Sequence, residues 1–385
     1  MLKLYKLRDY NFRLVILLVI TTVIGVMLVN SADSSLRNKQ IFGMFLGLFV
    51  MVVVSLIDYS WIMRFYTIIY LVNLVMLIIV IIFGVATNGA ARWVNIGGFQ
   101  FQPTELSKIM VIVFLSAYFM RHETDLSEWK TIFRSIIVIA VPLVLILRQP
   151  DLKNTITLSV IFTLLYFAAG LSYRKIGIIL AIVVPLVLGI FLLITQTDLK
   201  IVDDYQKTRI MDFINAEDDD YSQSSMQQDN SIMAIGSGRL TGKGLNNNQV
   251  SSANKGNFVA EIQNDFIFAV AGEELGFVGC VAILILLFLI VLECIRTGQK
   301  ARNLSGKLVC TGIGSLVAVQ SFINICVATG LMPNTGTTLP FVSYGLTSLV
   351  SLYIGMGFVL NVSLQKRTDN GGILLSEEEI QKLKA

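Results

Sequence analysis

The feature that most limits how this chain can fold is a recurrence of apolar stretches. Each is close to the roughly 20 residues a helix needs to cross a hydrocarbon core. They lie near 12–30, 40–57, 64–84, 105–120, 131–147, 155–171, 176–195, 265–293, 308–330 and 343–363, about ten in 385 residues. A bilayer offers no water to the backbone, so a spanning segment is a helix or part of a closed barrel, and these stretches lack the short alternating pattern of barrel strands. The expected fold is all-α, a polytopic integral membrane protein. It forms one membrane domain over 1–385, with a large outer loop at about 196–262 and a short tail at about 364–385. Composition agrees, since 55% of the residues are apolar and 15% charged, against about 45–50% and 25% in soluble domains.

Orientation follows from the basic residues. The first span comes after Lys3, Lys6, Arg8 and Arg13 but is long, lacks a small-residue cleavage site and precedes further spans, so it reads as a retained helix. With the N-terminus inside, the inner segments and both tails hold about 18 of the 30 Lys and Arg residues, the short outer loops and adjoining membrane ends about six. Both termini are then cytoplasmic, the loop at 196–262 faces outward, and Asp265 lies at the outer surface.

Several function classes drop out. Cys280, Cys294, Cys310 and Cys326 fall in or beside predicted helices, away from oxidising outer loops, and have no CxxC spacing, so they read as small packing residues. The net charge of +4 is what positive-inside loops produce, and no basic and aromatic platform suggests nucleic acid. "IGSGRLTGKG" (Ile235–Gly244) looks like a nucleotide loop, but a Walker A motif needs glycine five residues before Gly242, where Ser237 stands. It reads as a turn-rich loop.

Polar residues at membrane depth are costly, and so are paired or line a cavity. "ARWVNIGGFQFQPTELSKIM" places Arg92 outside and puts Glu105 and Lys108 at a helix start, three apart, where they share a face and can pair. "RQPDLKN" forms a charged hairpin in which Asp151 is either a helix cap or a site residue. "EIQNDFIFAVAGEELGFVG" carries Asp265, Glu273 and Glu274 into an apolar segment. If 261–274 is helical, Glu261, Asp265 and Glu273 fall within about 120° of one face. Asp265 is then either a reactive carboxylate or an acidic residue favoured by the helix dipole.

These stretches, with "TGTTLPFVSYG" (Thr335–Gly345), resemble in order the landmarks of the SEDS proteins, the RodA, FtsW and SpoVE family, along nearly the whole chain. The resemblance implies ten transmembrane helices in a bacterial cytoplasmic membrane and a peptidoglycan glycosyltransferase. Such an enzyme polymerises lipid II, an undecaprenyl-diphosphate-linked membrane lipid, at the outer face for elongation, division or sporulation. It also implies a class B penicillin-binding protein, a transpeptidase, as partner. Carried onto this chain, the essential aspartate falls on Asp265, the membrane Glu and Lys on Glu105 and Lys108, the Arg-Trp pair on Arg92 and Trp93, and the "QPDL" aspartate on Asp151; Glu273 completes the candidate site. The chain departs from the pattern at Gln263 and Asn264, where many members have His-Thr, at Lys153, where many have glycine, and at Leu346.

Joining sugars needs a base for the attacking hydroxyl and positive charge near the departing diphosphate. The single histidine, His122, is expected inside, which leaves a carboxylate as the outer base. Arg92 and Lys108 are candidates for the diphosphate, or a divalent cation (Mg or Mn) bridges it to carboxylates. The competing readings are a lipid II flippase, for which no inverted repeat is visible, and a scaffold that recruits a transpeptidase.

Overall fold

The computed structural model describes residues 9–87, 90–96, 99–179, 181, 211, 223–246 and 261–365. Helices α1 (Phe12–Ala32), α2 (Arg37–Leu56), α3 (Tyr59–Arg64) and α4 (Tyr66–Phe83) come first. Strands β1 (Val85–Thr87), β2 (Ala90–Ile96) and β3 (Phe99–Phe101) follow, then α5 (Pro103–Arg121), α6 (Trp129–Leu147) and α7 (Leu152–Ala168). After these stand α8 (Gln223–Ser237), α9 (Ile267–Gln299), α10 (Leu304–Ala328) and α11 (Leu346–Leu364). Among the described residues, eight helices are long and apolar enough to cross a membrane, and α7 is a shorter apolar one. The expected span at 176–195 lies almost wholly outside the described residues, as does the tail beyond 365. The chain is a multi-pass, mostly helical membrane protein.

Two features depart from a plain bundle. The segment joining α4 to α5 folds as a three-stranded antiparallel sheet in the order β1-β2-β3, with Thr87 opposite Ala90 and Ile96 opposite Phe99. Part of the expected outer loop is the helix α8, which is docked onto the bundle: Gln228 Nε2 donates to the carbonyls of Val327 and Met332, and Ser231 Oγ to that of Ala328.

The helices sort by burial. On α5, α10 and α11 most residues are buried, whereas α4 buries Asn73, Leu77 and Val80 and turns Ile78, Ile82 and Phe83 outward. Between apolar helices in lipid, close approach replaces the hydrophobic drive, and small residues permit it. On α2, a side chain at Gly47 would strike the Tyr353 ring of α11, and on α11 one at Gly357 would strike Val54 and Met51 of α2.

The segment 333–345 enters the bundle without being helical. A Cβ on Gly25 of α1 would lie 2.7 Å from the Phe341 carbonyl oxygen and from Val342 Cα. Gly25 is seven residues from the end of α1, about 10 Å at 1.5 Å per residue. Non-helical backbone at such depth survives only where protein satisfies it. Here Ser343 Oγ accepts from the Leu339 amide (2.7 Å), Gln40 Nε2 donates to the Ser343 carbonyl (3.2 Å), and the Tyr344 amide donates to the Gln263 carbonyl (2.9 Å).

Helix α9 is interrupted at Gly276, whose φ of 68° and ψ of −167° suit glycine alone. The glycine-rich run after α8 repairs the break. Phe277 and Val278 donate their amides to the carbonyls of Arg239 and Leu240, while the amides of Lys243 and Gly244 donate to the carbonyls of Glu273 and Glu274. "SGRLTGKG" is thus a backbone strap. Its glycines are needed because a Cβ at Gly238 would lie 1.9 Å from the Gly272 oxygen and one at Gly242 2.2 Å from that of Glu274.

Gly276→Ala combines the left-handed strain with a Cβ set 2.3 Å from the Gly242 nitrogen. It is expected to cost about 1–3 kcal/mol from backbone strain alone. The thermal midpoint in detergent should fall by several degrees, whereas Gly177→Ala, with no atom within 4 Å of its Cβ, leaves it unchanged.

Candidate functional site

The polar residues singled out in the sequence gather at one end of the bundle. Asp151 is the N-cap of α7 and is fully buried. Its Oδ1 accepts from the Asn154 amide (3.3 Å), and its Oδ2 accepts from Asn154 Nδ2 (2.7 Å), Gln102 Nε2 (3.3 Å) and Thr104 Oγ1 (3.4 Å). The four donors replace the water that burial takes from this carboxyl group. By spending its oxygens on α5 and α7, it fixes the two helix starts to each other.

One turn further along α5, Lys108 Nζ meets Glu105 Oε1 at 2.9 Å, and both side chains are buried. This is the pairing that the three-residue spacing implies. Ile109 and Ile313 both pack at Gly355 of α11, which fixes α5, α10 and α11 beneath the pair.

Arg92 lies on β2 and is half-buried. Its Nε donates to the Gln149 carbonyl (3.3 Å) and its Nη2 to that of Pro150, while Gln149 Nε2 donates to the Leu77 carbonyl (2.9 Å). The guanidinium therefore pins the sheet to the α6–α7 turn.

Asp265 stands apart in environment. Residues 261–265 are turns, Glu261 has a φ of 51°, and α9 begins at Ile267. The expected helix over 261–274, with Glu261, Asp265 and Glu273 on one face, does not form. The break serves to bring the chain past the 333–345 segment: Asn324 Nδ2 of α10 donates to the Asp265 carbonyl (2.8 Å) and to the Thr337 carbonyl (2.5 Å). The backbone at Asp265 is held while its side chain remains half-buried. Glu105, Lys108, Asp151 and Glu273 are each 5% exposed or less, so Asp265 is the site carboxylate that a large substrate can reach.

Glu273 is engaged by the strap, with Lys243 Nζ 2.7 Å from its Oε1, and Glu274 accepts from Ser31 Oγ of α1. Glu273 thus ties the broken helix to its repair loop, and Glu274 ties it to α1. His122 sits at the opposite end of α5, its Nδ1 2.9 Å from the Tyr118 carbonyl oxygen. Among the described residues no group of three or more His, Cys, Asp or Glu is arranged to hold a metal ion.

Three residues escaped the sequence reading. Asn324 is one of several buried polar residues of α10, with Gln320 and Ser321, and a polar side chain within an apolar span was the available signal. Lys243 belonged to the rejected phosphate-loop motif. Lys153, noted as a departure from the pattern, sends its ammonium to the Gly336 carbonyl beside Thr337.

The model of the cell cycle protein family of FtsW, RodA and SpoVE matches residues 7–368. The chain belongs to that family. It is 31% identical over 381 residues to the probable peptidoglycan glycosyltransferase FtsW of Wigglesworthia glossinidia brevipalpis, covering 95% of this chain and 96% of that one. The corresponding protein of Geobacter metallireducens is 31% identical over 380 residues, covering 95% and 98%. Among solved structures, the rod shape determining protein RodA of Thermus thermophilus superposes with a TM-score of 0.68 at 25% identity, covering 94% of this chain and 98% of that one. A chain from a peptidoglycan synthase complex, solved for its coordination of polymerization and crosslinking, gives 0.75 at 25% identity, covering 92% and 97%.

If the buried Glu105–Lys108 pair holds α5 as a unit, removing one partner strands a buried charge at a cost of about 3–5 kcal/mol. Glu105→Lys and Lys108→Glu are each expected to lower the yield of folded protein, and the double exchange to recover part of it, measured by fluorescence-detected size exclusion. Equal losses in all three variants would rule out a pairwise interaction.

Proposed function

We propose that this chain is a peptidoglycan glycosyltransferase that polymerises lipid II, with Asp265 as the general base. The observation that carries the reading is the contrast in exposure among the site carboxylates: Asp265 is half-buried on an anchored backbone, whereas Glu105, Asp151 and Glu273 are buried. Membership of a family whose relatives carry that activity in their names supports it.

In the reaction, the acceptor sugar hydroxyl attacks the anomeric carbon of the lipid-linked donor. The new glycosidic bond forms as the bond to the diphosphate breaks. The proton of the attacking hydroxyl goes to the Asp265 carboxylate, and the diphosphate leaves as an anion on its lipid. The buried residues act on geometry: Asp151 aligns the starts of α5 and α7, Glu105 and Lys108 stiffen the floor, and Asn324 fixes Asp265 against the 333–345 segment.

With the termini in the cytoplasm, as the distribution of basic residues favours, this polar end faces outward, where the lipid-linked substrate is displayed. The class B transpeptidase partner belongs to the same proposal, supported by the likeness to a chain of a peptidoglycan synthase complex. A flippase gains no comparable support, because the charged groups cluster at one end and not at the midplane.

Asp265→Asn keeps the shape of the side chain but removes the proton acceptor. Glycan formation from lipid II by the purified variant, with its partner present, should fall by about 10²-fold or more, with a thermal midpoint near that of the parent. Polymerisation at the parental rate would sink the assignment.

A further inference from the structure

Two of the cations expected to meet the substrate diphosphate are already engaged. Arg92 donates two of its N–H groups to the carbonyls of Gln149 and Pro150, which ties it to the α6–α7 turn, and Lys108 is 1% exposed and paired with Glu105. Lys153 is half-buried, its ammonium bonds a single neutral carbonyl, that of Gly336, and among the described residues no carboxylate forms an ion pair with it. An ammonium has three donors, so two remain for a ligand.

Its location is unfavourable for a cation unless an anion joins it. Lys153 is in the first turn of α7, where the helix dipole disfavours positive charge. An anion bound there would relieve this. The position relative to the base is set by one loop, because Lys153 is bound to the carbonyl of Gly336 and Asn324 joins the next carbonyl, that of Thr337, to Asp265.

We propose that Lys153 is the side chain of this protein that contacts the diphosphate of the lipid-linked substrate, its ammonium swinging from the Gly336 carbonyl onto a phosphate oxygen. The identity of the substrate rests on the glycosyl-transfer reading; the diphosphate contact does not. A compact ammonium on a flexible stem suits a phosphate that must bind and later leave, since it supplies a point charge without the fork geometry of arginine.

The first test needs no variant. Wild-type protein in detergent is acylated with acetic anhydride, and Lys153 modification is followed by mass spectrometry in the presence of geranylgeranyl diphosphate, geranylgeraniol or inorganic pyrophosphate. Protection by the lipid diphosphate and not by the alcohol is expected. Matching protection by pyrophosphate also supports the contact and assigns it to the headgroup alone. No protection by either phosphate, or equal protection by the alcohol, overturns the proposal. In a second test, Lys153→Met should raise the KM for lipid II about tenfold, equivalent to 1.4 kcal/mol, with kcat within about twofold, the pattern of lost uniform binding. Lys153→Arg should restore most of the KM. An unchanged KM in the Met variant overturns the assignment while polymerase activity stands. If the wild type forms no glycan, the functional reading fails and the acylation experiment still decides the role of Lys153.

Discussion

The polar end of this molecule depends on one carboxamide. Asn324 Nδ2 bonds the carbonyls of Asp265 and Thr337, which belong to two segments that are both non-helical where they enter the bundle. In lipid an unsatisfied backbone group costs several kcal/mol, so irregular chain at this depth needs donors brought to it from regular chain. α10 is regular and can present Asn324 rigidly because it is itself buried by α5, α7, α9 and α11. The order of dependence is therefore helix packing first, the position of Asn324 second, and the placement of the Asp265 backbone third.

The same constraint explains what was legible in the sequence. Hydropathy reads helices well because a membrane span must satisfy its own backbone locally, and the observed helices fall close to the apolar stretches wherever the chain is described. The Glu105–Lys108 pair and the Asp151 cap were equally visible, since both rest on spacings of three residues within one helix start. The sheet β1-β2-β3 escaped notice although Asn-Gly and Gly-Gly dipeptides separate its strands in sequence, a hairpin signal that the surrounding apolar spans obscured.

What could not be read were the contacts that pair a broken element with a distant repair. Nothing in "GEELGFVG" announces that its Gly276 takes a left-handed conformation, and nothing in "SGRLTGKG" says that its carbonyls and amides complete another helix. The glycine run was ambiguous for a physical reason: a loop that cradles phosphate and a loop that lies against a second backbone both require missing side chains and free amides. Distinguishing them takes the partner, and the partner here is some 30 residues away in sequence. The two acidic residues of the break were misleading in the same way. Glu273 was expected on the Asp265 face and Glu274 off it, whereas Glu273 holds the strap through Lys243 and Glu274 the end of α1 through Ser31.

This division of labour has an energetic logic. A buried charge is tolerated when a partner or several donors replace the lost water, and such an arrangement contributes little net stability but strongly resists losing one member. Asp151 with its four donors and Lys108 with Glu105 are of that kind, and each holds its helix start in one orientation. A group that exchanges protons with a substrate needs the opposite setting, with backbone held and side chain within reach. Asp265 has that setting because the helix stops short of it: had 261–274 continued as one helix, Asp265 would be carried in the same rigid rod as Glu273 and the strap. Ending the helix at Ile267 separates the carboxylate from the repair machinery while Asn324 keeps its position. The interruption of regular structure, costly in a membrane, is what allows one carboxylate to be both anchored and accessible.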